Sequence, residues 1–93
     1  MNPENVISPK TRIKEGTIKI IHNEGENQFS IATMIWDGEQ RIAMRWNGSA
    51  QGKGYPLARG AAAWFIIPKA MALAFAEKIG NVELSFQISQ AKY

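Results

Sequence analysis

The sequence predicts an α+β fold in which a mostly antiparallel sheet of four to five strands carries one helix, in the order β-β-β-β-α-β. Three observations lead to this prediction. Short runs of β-branched and aromatic residues are separated by turns rich in Gly and Asn, which is typical of consecutive strands. Asp37-Gly38 joins two such runs and indicates a hairpin, because both turn positions need a positive φ. An alanine-rich segment after Pro68 has the composition of a helix.

Length and composition fit one small domain without a membrane span or disulfide bonds. The chain has 93 residues, of which 45% are hydrophobic and 20% charged, as is ordinary for a globular protein. It contains no cysteine, no apolar run of about 18 residues, and no apolar stretch near its start like that of a secretory signal. These features predict a cytoplasmic protein.

Residues 1–16 are predicted to form an N-terminal arm, and residues 17–93 the α+β domain. The arm contains Pro3, Pro9 and Gly16 and few large apolar side chains. Two interpretations stay open for it: a short extended piece over Thr11–Lys14, or a tail without fixed structure.

Three strands are predicted in the first half of the chain. The first is a β-branched run, and the next two flank Asp37-Gly38. Their predicted ranges are Thr17–Asn23, Phe29–Trp36 and Glu39–Trp46. Residues 47–60 contain four glycines and one proline and are predicted to be a loop. Loops of about this length are uncommon in compact domains and are often functional.

The second half is predicted to contain a strand, a helix and a further strand. Ala62–Ile67 ends in aromatic and β-branched residues. Pro68 suits the first position of a helix over Lys69–Ile79, and Gly80 is placed to end it. Val82–Ile88 alternates apolar and polar residues, which predicts the last strand.

The predicted helix has an apolar stripe and one leucine outside it. Met71, Phe75 and Ile79 recur every four residues and are predicted to face the core. Leu73 projects to the opposite side, where it is a candidate dimer contact. Because a domain this short has a thin core, we expect a homodimer.

The hairpin at Asp37-Gly38 has two faces that the sequence can sort. With a two-residue turn, Phe29 pairs with Trp46 and Trp36 pairs with Glu39, and alternate side chains then share a face. One face, predicted to be core, holds Phe29, Ile31, Thr33, Ile35, Ile42, Met44 and Trp46. The other holds Ser30, Ala32, Met34, Trp36, Arg41, Ala43 and Arg45.

The second face is predicted to be open and to bind single-stranded DNA or RNA. Arginine contacts phosphate with two nitrogens at once, and an exposed indole stacks on a base of any sequence. The candidate residues on this face are Trp36, Arg41 and Arg45. The alternative is that the helix or a second subunit covers Trp36 and Met34, while the arginines pair with acidic residues.

The distribution of charge favours the same function. The net charge is +3, and between Glu39 and Glu77 the chain has five Lys or Arg residues and no acidic residue. Lys53, Tyr55 and Arg59 lie in the glycine-rich loop, where mobile cations and an aromatic ring would suit a flexible nucleic-acid backbone.

The order of elements resembles that of positive cofactor four and its bacterial relatives. The resemblance lies in a four-stranded antiparallel sheet followed by a helix, with Arg45-Trp46 ending a strand and Lys53-Gly54 in the next loop. It covers roughly residues 17–79 and implies a homodimer that binds single-stranded DNA in a groove lined by strand cations and aromatics. The positions that would carry this over are Trp36, Arg41, Arg45, Lys53 and Lys19. Arg45-Trp46-Asn47-Gly48 and the Trp64-Phe65-x-x-Pro68 run are also similar to small bacterial proteins, some from mobile elements, for which no function follows.

The sequence predicts no catalytic residue, cofactor or metal site. His22 is the only histidine and ends a strand pattern, where histidine is usually structural. The glycines around Lys53 precede a strand, whereas a phosphate-binding loop precedes a helix. The chain is therefore predicted to be a non-enzymatic binding domain. The alternative function is a protein-interaction or self-assembly module that docks a partner through Trp36 and Met34.

Overall fold

A computed structural model describes residues 1–93 and has an α+β fold. Four antiparallel strands form the main sheet in the order β1-β2-β3-β6, and β4 and β5 form a separate two-stranded hairpin. Two helices follow. The elements are β1 (Lys19–Asn23), β2 (Phe29–Trp36), β3 (Glu39–Trp46), β4 (Leu57–Ala58), β5 (Ala61–Ala62), β6 (Phe65–Ile66), α1 (Lys69–Lys78) and α2 (Val82–Gln90). No helix is long and apolar enough to cross a membrane.

The central hairpin has the predicted strands and register. Phe29 pairs with Trp46 and Trp36 with Glu39, and the six pairs between these two follow without a bulge. Asp37 and Gly38 have φ values of 51° and 82°. A turn with both central residues in this region matches the twist of the strands, so the turn sets the register.

The segment after β3 has more structure than predicted. Within the expected loop, Tyr55 pairs with Trp46, and Leu57–Ala58 pairs with Ala61–Ala62 across a tight turn at Arg59-Gly60. The strand predicted over Ala62–Ile67 is divided in two, because the chain leaves the β4–β5 hairpin and passes the buried Trp64 before β6 joins β3.

Helix α1 is confirmed, but its buried stripe differs from the prediction. Pro68 precedes its first residue and Gly80, with φ of 71°, follows its end. Ala72 and Ala76 are fully buried, whereas Met71 and Ile79 are exposed. Small alanines at the contact let the helix lie close to the sheet, so the larger side chains on either side remain at its margin.

The strand predicted over Val82–Ile88 is wrong, because this segment is helix α2. Residues two apart in a helix differ by about 200°, so an alternating pattern also divides into two helical faces. Leu84 and Ile88 are buried on one face, and Val82 and Phe86 are exposed on the other. Asn81 begins the helix by accepting a hydrogen bond from the Leu84 N–H at 3.0 Å.

One core lies between the sheet and the helices. It is formed by aliphatic residues of β2, β3 and the segment before α1 that pack against both helices, and we call it the helix-side core. Its buried members are Ile31, Ile42, Ile67, Ala72, Ala76, Leu84 and Ile88. The hairpin face that was predicted to be core is therefore buried along its middle, at Ile31 and Ile42.

A second core lies on the other face of the sheet, beneath residues 1–16. The buried members of this arm-side core are Val6, Ile13, Ala32, Met34, Ala43, Ala62 and Trp64. The arm is attached by backbone pairing of Ser8 with Ala63 and of Ile13 with Trp36. The Trp64 indole N–H donates to the Val6 carbonyl at 2.8 Å. The sheet is thus covered on both faces.

Candidate functional site

The predicted binding face of the hairpin is not open to solvent. Met34 is 1% exposed because it packs in the arm-side core, and Arg45 is 0% exposed beneath the loop at Lys53 and the segment at Ala63. The prediction that Arg45 is exposed on this face is therefore wrong, whereas Trp36 and Arg41 are half-buried. The alternative docking surface loses Met34, which is covered, and a docking role for Trp36 stays a prediction.

Arg45 has a structural role in this conformation. Its guanidinium donates to the carbonyl oxygens of Ala63 at 2.8 Å and Trp46 at 3.0 Å, and also to that of Lys53. Burial lowers the pKa of the Arg45 guanidinium from its usual value. The side chain connects β3 to the loop at Lys53 and to the segment before Trp64, and no carboxylate lies within 4.0 Å of it.

Arg41 and Trp36 are half-buried and lie apart from the loop cations. The Arg41 guanidinium is 5.9 Å from the centroid of the Tyr93 ring, and Trp36 packs against the arm-side core. Both side chains therefore contact the protein itself. Their proposed role in nucleic-acid binding gains no support from this placement.

Lys19 is exposed on the edge strand β1, away from the glycine-rich loop. It lines a shallow cleft together with Thr33 of β2 and Gln87 of α2. Trp46 and Lys53 line a different cleft, so Lys19 does not join the loop residues in one site.

Leu73 does not supply the exposed dimer contact that was predicted. It is half-buried and packs against the helix-side core. The apolar side chains that α1 and α2 expose instead are Met71, Ile79, Val82 and Phe86.

The most exposed aromatic surface lies where β3 leaves the cover of the helices. Trp46 and Tyr55 pair as antiparallel neighbours, with hydrogen bonds of 2.7 and 3.1 Å between their backbones, so their side chains lie on the same face. Trp46 is 48% exposed and Tyr55 is 68% exposed. Together with Leu57, which lines the same cleft, they form what we call the aromatic patch.

Aromatic neighbours on the sheet support Trp46 from one side. The Phe29 ring meets the indole edge-to-face, with centroids 6.2 Å apart. His22 continues the row on β1, with its ring 5.4 Å from that of Phe29 and its Nε2 3.1 Å from the Glu24 carboxylate. Sequence reasoning placed Trp46 in the core because it shares the face of Ile31. The helices cover only the middle of that face, and the position of Trp46 at the strand end is the signal that could have indicated this.

The glycine-rich loop forms the other side of the patch. Gly48 and Gly54 approach backbone to backbone: a Cβ on Gly48 would lie 2.5 Å from the Gly54 nitrogen. Lys53 lies beside them and is exposed, and its Nζ donates to the Gly60 carbonyl at 2.6 Å. Lys53 and Tyr55 therefore line the same cleft.

Arg59 presents a second exposed cation at the tip of the β4–β5 hairpin. It is exposed and has φ of 52°, followed by Gly60 with φ of 81°. Such a turn usually has Asn, Asp or Gly at its first central position, because a larger side chain is strained there.

The side chains at this surface offer aromatic stacking and cationic contacts. No cluster of three or more His, Cys, Asp or Glu side chains could hold a metal ion. No family model, curated protein or solved structure matches this chain. The resemblance to positive cofactor four therefore stays a prediction.

Proposed function

We propose that this protein binds single-stranded nucleic acid through the aromatic patch, with Lys53 and Arg59 contacting the sugar–phosphate backbone. The observation that carries the proposal is the exposure of Trp46 and Tyr55 side by side on one strand pair. Exposed rings on a sheet stack on bases of any sequence, and each stacked base contributes about 1–3 kcal/mol. The site differs from the predicted one, but it uses the same kind of chemistry.

Attraction between cations and phosphates contributes only modestly to the affinity in this proposal. Lys53 and Arg59 belong to the loop and hairpin that follow β3, whereas Glu24 and Glu26 belong to the β1–β2 turn, which contacts that loop. The Glu26 carboxylate accepts a hydrogen bond from the Ala50 N–H at 2.8 Å. With about two phosphate contacts, the slope of log affinity against log salt for a single strand would be about −1.4.

The test is a titration of a labelled oligothymidylate, followed by fluorescence anisotropy. Trp46→Leu and Tyr55→Leu should each weaken binding by about tenfold, since each removes one stacking surface worth 1–3 kcal/mol. Trp36→Leu is the matched control, because that indole lies against the arm-side core. Equal affinity of the wild type and both patch variants would contradict the proposal.

The second candidate function is protein docking, and the exposed apolar residues of α2 favour it. Val82 is 80% exposed and Phe86 is 65% exposed, one turn apart on the same helical face. Salt separates the two functions, because an apolar interface depends little on ionic strength whereas nucleic-acid binding weakens with salt. Self-association remains a prediction, which sedimentation equilibrium of the full chain would test.

A further inference from the structure

The aromatic patch borders a cleft of about 570 Å³ whose opposite wall is the glycine-rich loop. One wall is apolar and aromatic. The other consists mainly of backbone, with only short or cationic side chains. The lining residues are Asn27, Trp46, Gly48, Ser49, Gly52, Lys53, Gly54, Tyr55 and Leu57, and none of them is acidic.

Arg45 lies directly behind the floor of this cleft. Gly54 lines the cleft, and a Cβ built on it would be 2.7 Å from Nη2 of Arg45, so the guanidinium lies close behind the Gly54 backbone. The partners of this buried cation are carbonyl oxygens alone, and its Nε has no hydrogen-bond partner. No carboxylate lies within 4.0 Å to neutralise it. A buried charge is poorly screened, so Arg45 contributes a positive potential at the cleft, against the Glu26 carboxylate that is bonded to Ala50 of the same loop.

Lys53 adds a mobile charge at the rim of the cleft. Its ammonium is exposed and is held by the single carbonyl of Gly60. An ammonium has three donors, so it can contact an anion while keeping that bond. Ser49 contributes a hydroxyl to the same wall, and the side chain of Ser49 makes no hydrogen bond within the protein.

We propose that this cleft is a phosphate subsite, in which Lys53 and the glycine-rich loop above Arg45 hold one phosphate while its base stacks on Trp46 or Tyr55. This inference rests on the proposed function and deepens it, since it assigns the charged part of one nucleotide to a specific wall. The phosphate is either an internal diester of a strand or the monoester at a strand end.

The experiment compares the full-length protein with three pentathymidylates: an ordinary strand, a strand with neutral methylphosphonate linkages, and a strand with a 5′-phosphate. The ordinary strand should bind about tenfold more tightly than the neutral strand, which corresponds to one charge-assisted contact. Lys53→Gln should reduce that ratio to about threefold or less. Lys14→Gln is the matched control, because Lys14 is equally exposed but lies on the arm.

A tighter complex with the 5′-phosphorylated strand would identify the monoester as the ligand, and equal affinity with the ordinary strand would identify the diester. If the neutral strand binds the wild type as well as the ordinary strand does, the phosphate subsite is overturned while stacking on the patch still stands.

A second measurement separates failure of the subsite from failure of the proposed function. Inorganic phosphate and thymidine monophosphate are titrated into ¹⁵N-labelled protein, and the amide signals of Gly48, Gly52 and Gly54 are followed. Saturable shifts that are lost in Lys53→Gln support the subsite, even if no oligonucleotide binds. The absence of shifts with both ligands overturns it.

Discussion

Arg45 shows that the type of a residue and its place in a strand do not establish what it contacts. It has the charge and the strand position expected of a phosphate ligand, yet its guanidinium satisfies three backbone carbonyls in the interior. Such a side chain stabilises the fold through hydrogen bonds that no shorter residue could make. In the proposed phosphate subsite, its effect on the ligand would be indirect and electrostatic.

Replacement of Arg45 is expected to damage stability. Arg45→Met would leave three carbonyl oxygens without this donor, and we expect the free energy of unfolding to fall by about 3 kcal/mol. Urea denaturation of the variant measures this. Arg12→Met is the control: Arg12 forms an exposed 2.8 Å ion pair with Asp37, which should contribute less than about 1 kcal/mol. Equal loss in both variants would argue against the assigned role of Arg45.

We expect Arg59 to lower the stability of the fold while it strengthens the proposed oligonucleotide binding. Arg59→Asn places a residue suited to positive φ at the hairpin tip, so we expect the free energy of unfolding to rise by about 1 kcal/mol. The same change removes a cation beside the patch and should weaken oligonucleotide binding a few-fold. Arg59→Lys keeps both the charge and the strain, and it should resemble the wild type in both assays. An unchanged affinity of Arg59→Asn would remove Arg59 from the proposed site.

Tyr93 makes stability depend on alkaline pH. Its hydroxyl lies 2.6 Å from the Ile67 carbonyl and accepts from the Ile42 N–H at 3.1 Å. Burial raises the pKa of this phenol, against smaller opposing effects of the Ile42 hydrogen bond and the Arg41 charge. Because the pKa of Tyr93 is higher in the folded state, the neutral phenol contributes its full share of the free energy of unfolding below pH of about 10, the pKa in the unfolded chain. This contribution is lost as the pH rises through the pKa of the folded state.

The measurement for Tyr93 is the urea midpoint between pH 8 and about 11, compared with that of Tyr93→Phe. The wild type should lose stability more steeply above pH of about 10, since only its chain ionises this phenol on unfolding. Parallel curves would show that Tyr93 does not cause the dependence.

At the scale of elements, the central hairpin was predictable in full and the C-terminal segment was not. Asp37-Gly38 sets a register by local backbone geometry, so a single sequence contains the information. Val82–Ile88 carries a pattern that fits both strand and helix. The Asn81 cap after Gly80 was the local signal for helix, and the packing of Leu84 on the sheet is tertiary information.

The candidate site was predictable for its loop residues only. Lys53, Tyr55 and Arg59 lie on an exposed segment, and local composition is sufficient to indicate exposure there. Whether the face with Arg45 and Met34 is open depends on what covers it. The arm supplies that cover through contacts between residues far apart in sequence, and a pattern of alternation contains no information about them.

At the scale of the whole molecule, residues 1–16 complete the fold as a second layer over the sheet. Val6 is 1% exposed in the arm-side core, and the adjacent Ile7 is 49% exposed. Val6→Ala should therefore lower the free energy of unfolding by about 1–2 kcal/mol, through lost burial and a small cavity. Ile7→Ala is the matched control and should cost less, although it removes more atoms. The reverse order in thermal or urea denaturation would mean that the arm does not pack as described.

The two middle strands, β2 and β3, belong to both cores at once. When only one face of a sheet is buried, a segment on the open face can detach while the core stays packed. Here, removal of either the arm or the helices would expose one face of β2 and β3 to water and weaken their packing against the remaining layer. We therefore expect cooperative unfolding, in which the arm, the sheet and the helices behave as one thermodynamic unit despite the arm's short and proline-containing sequence.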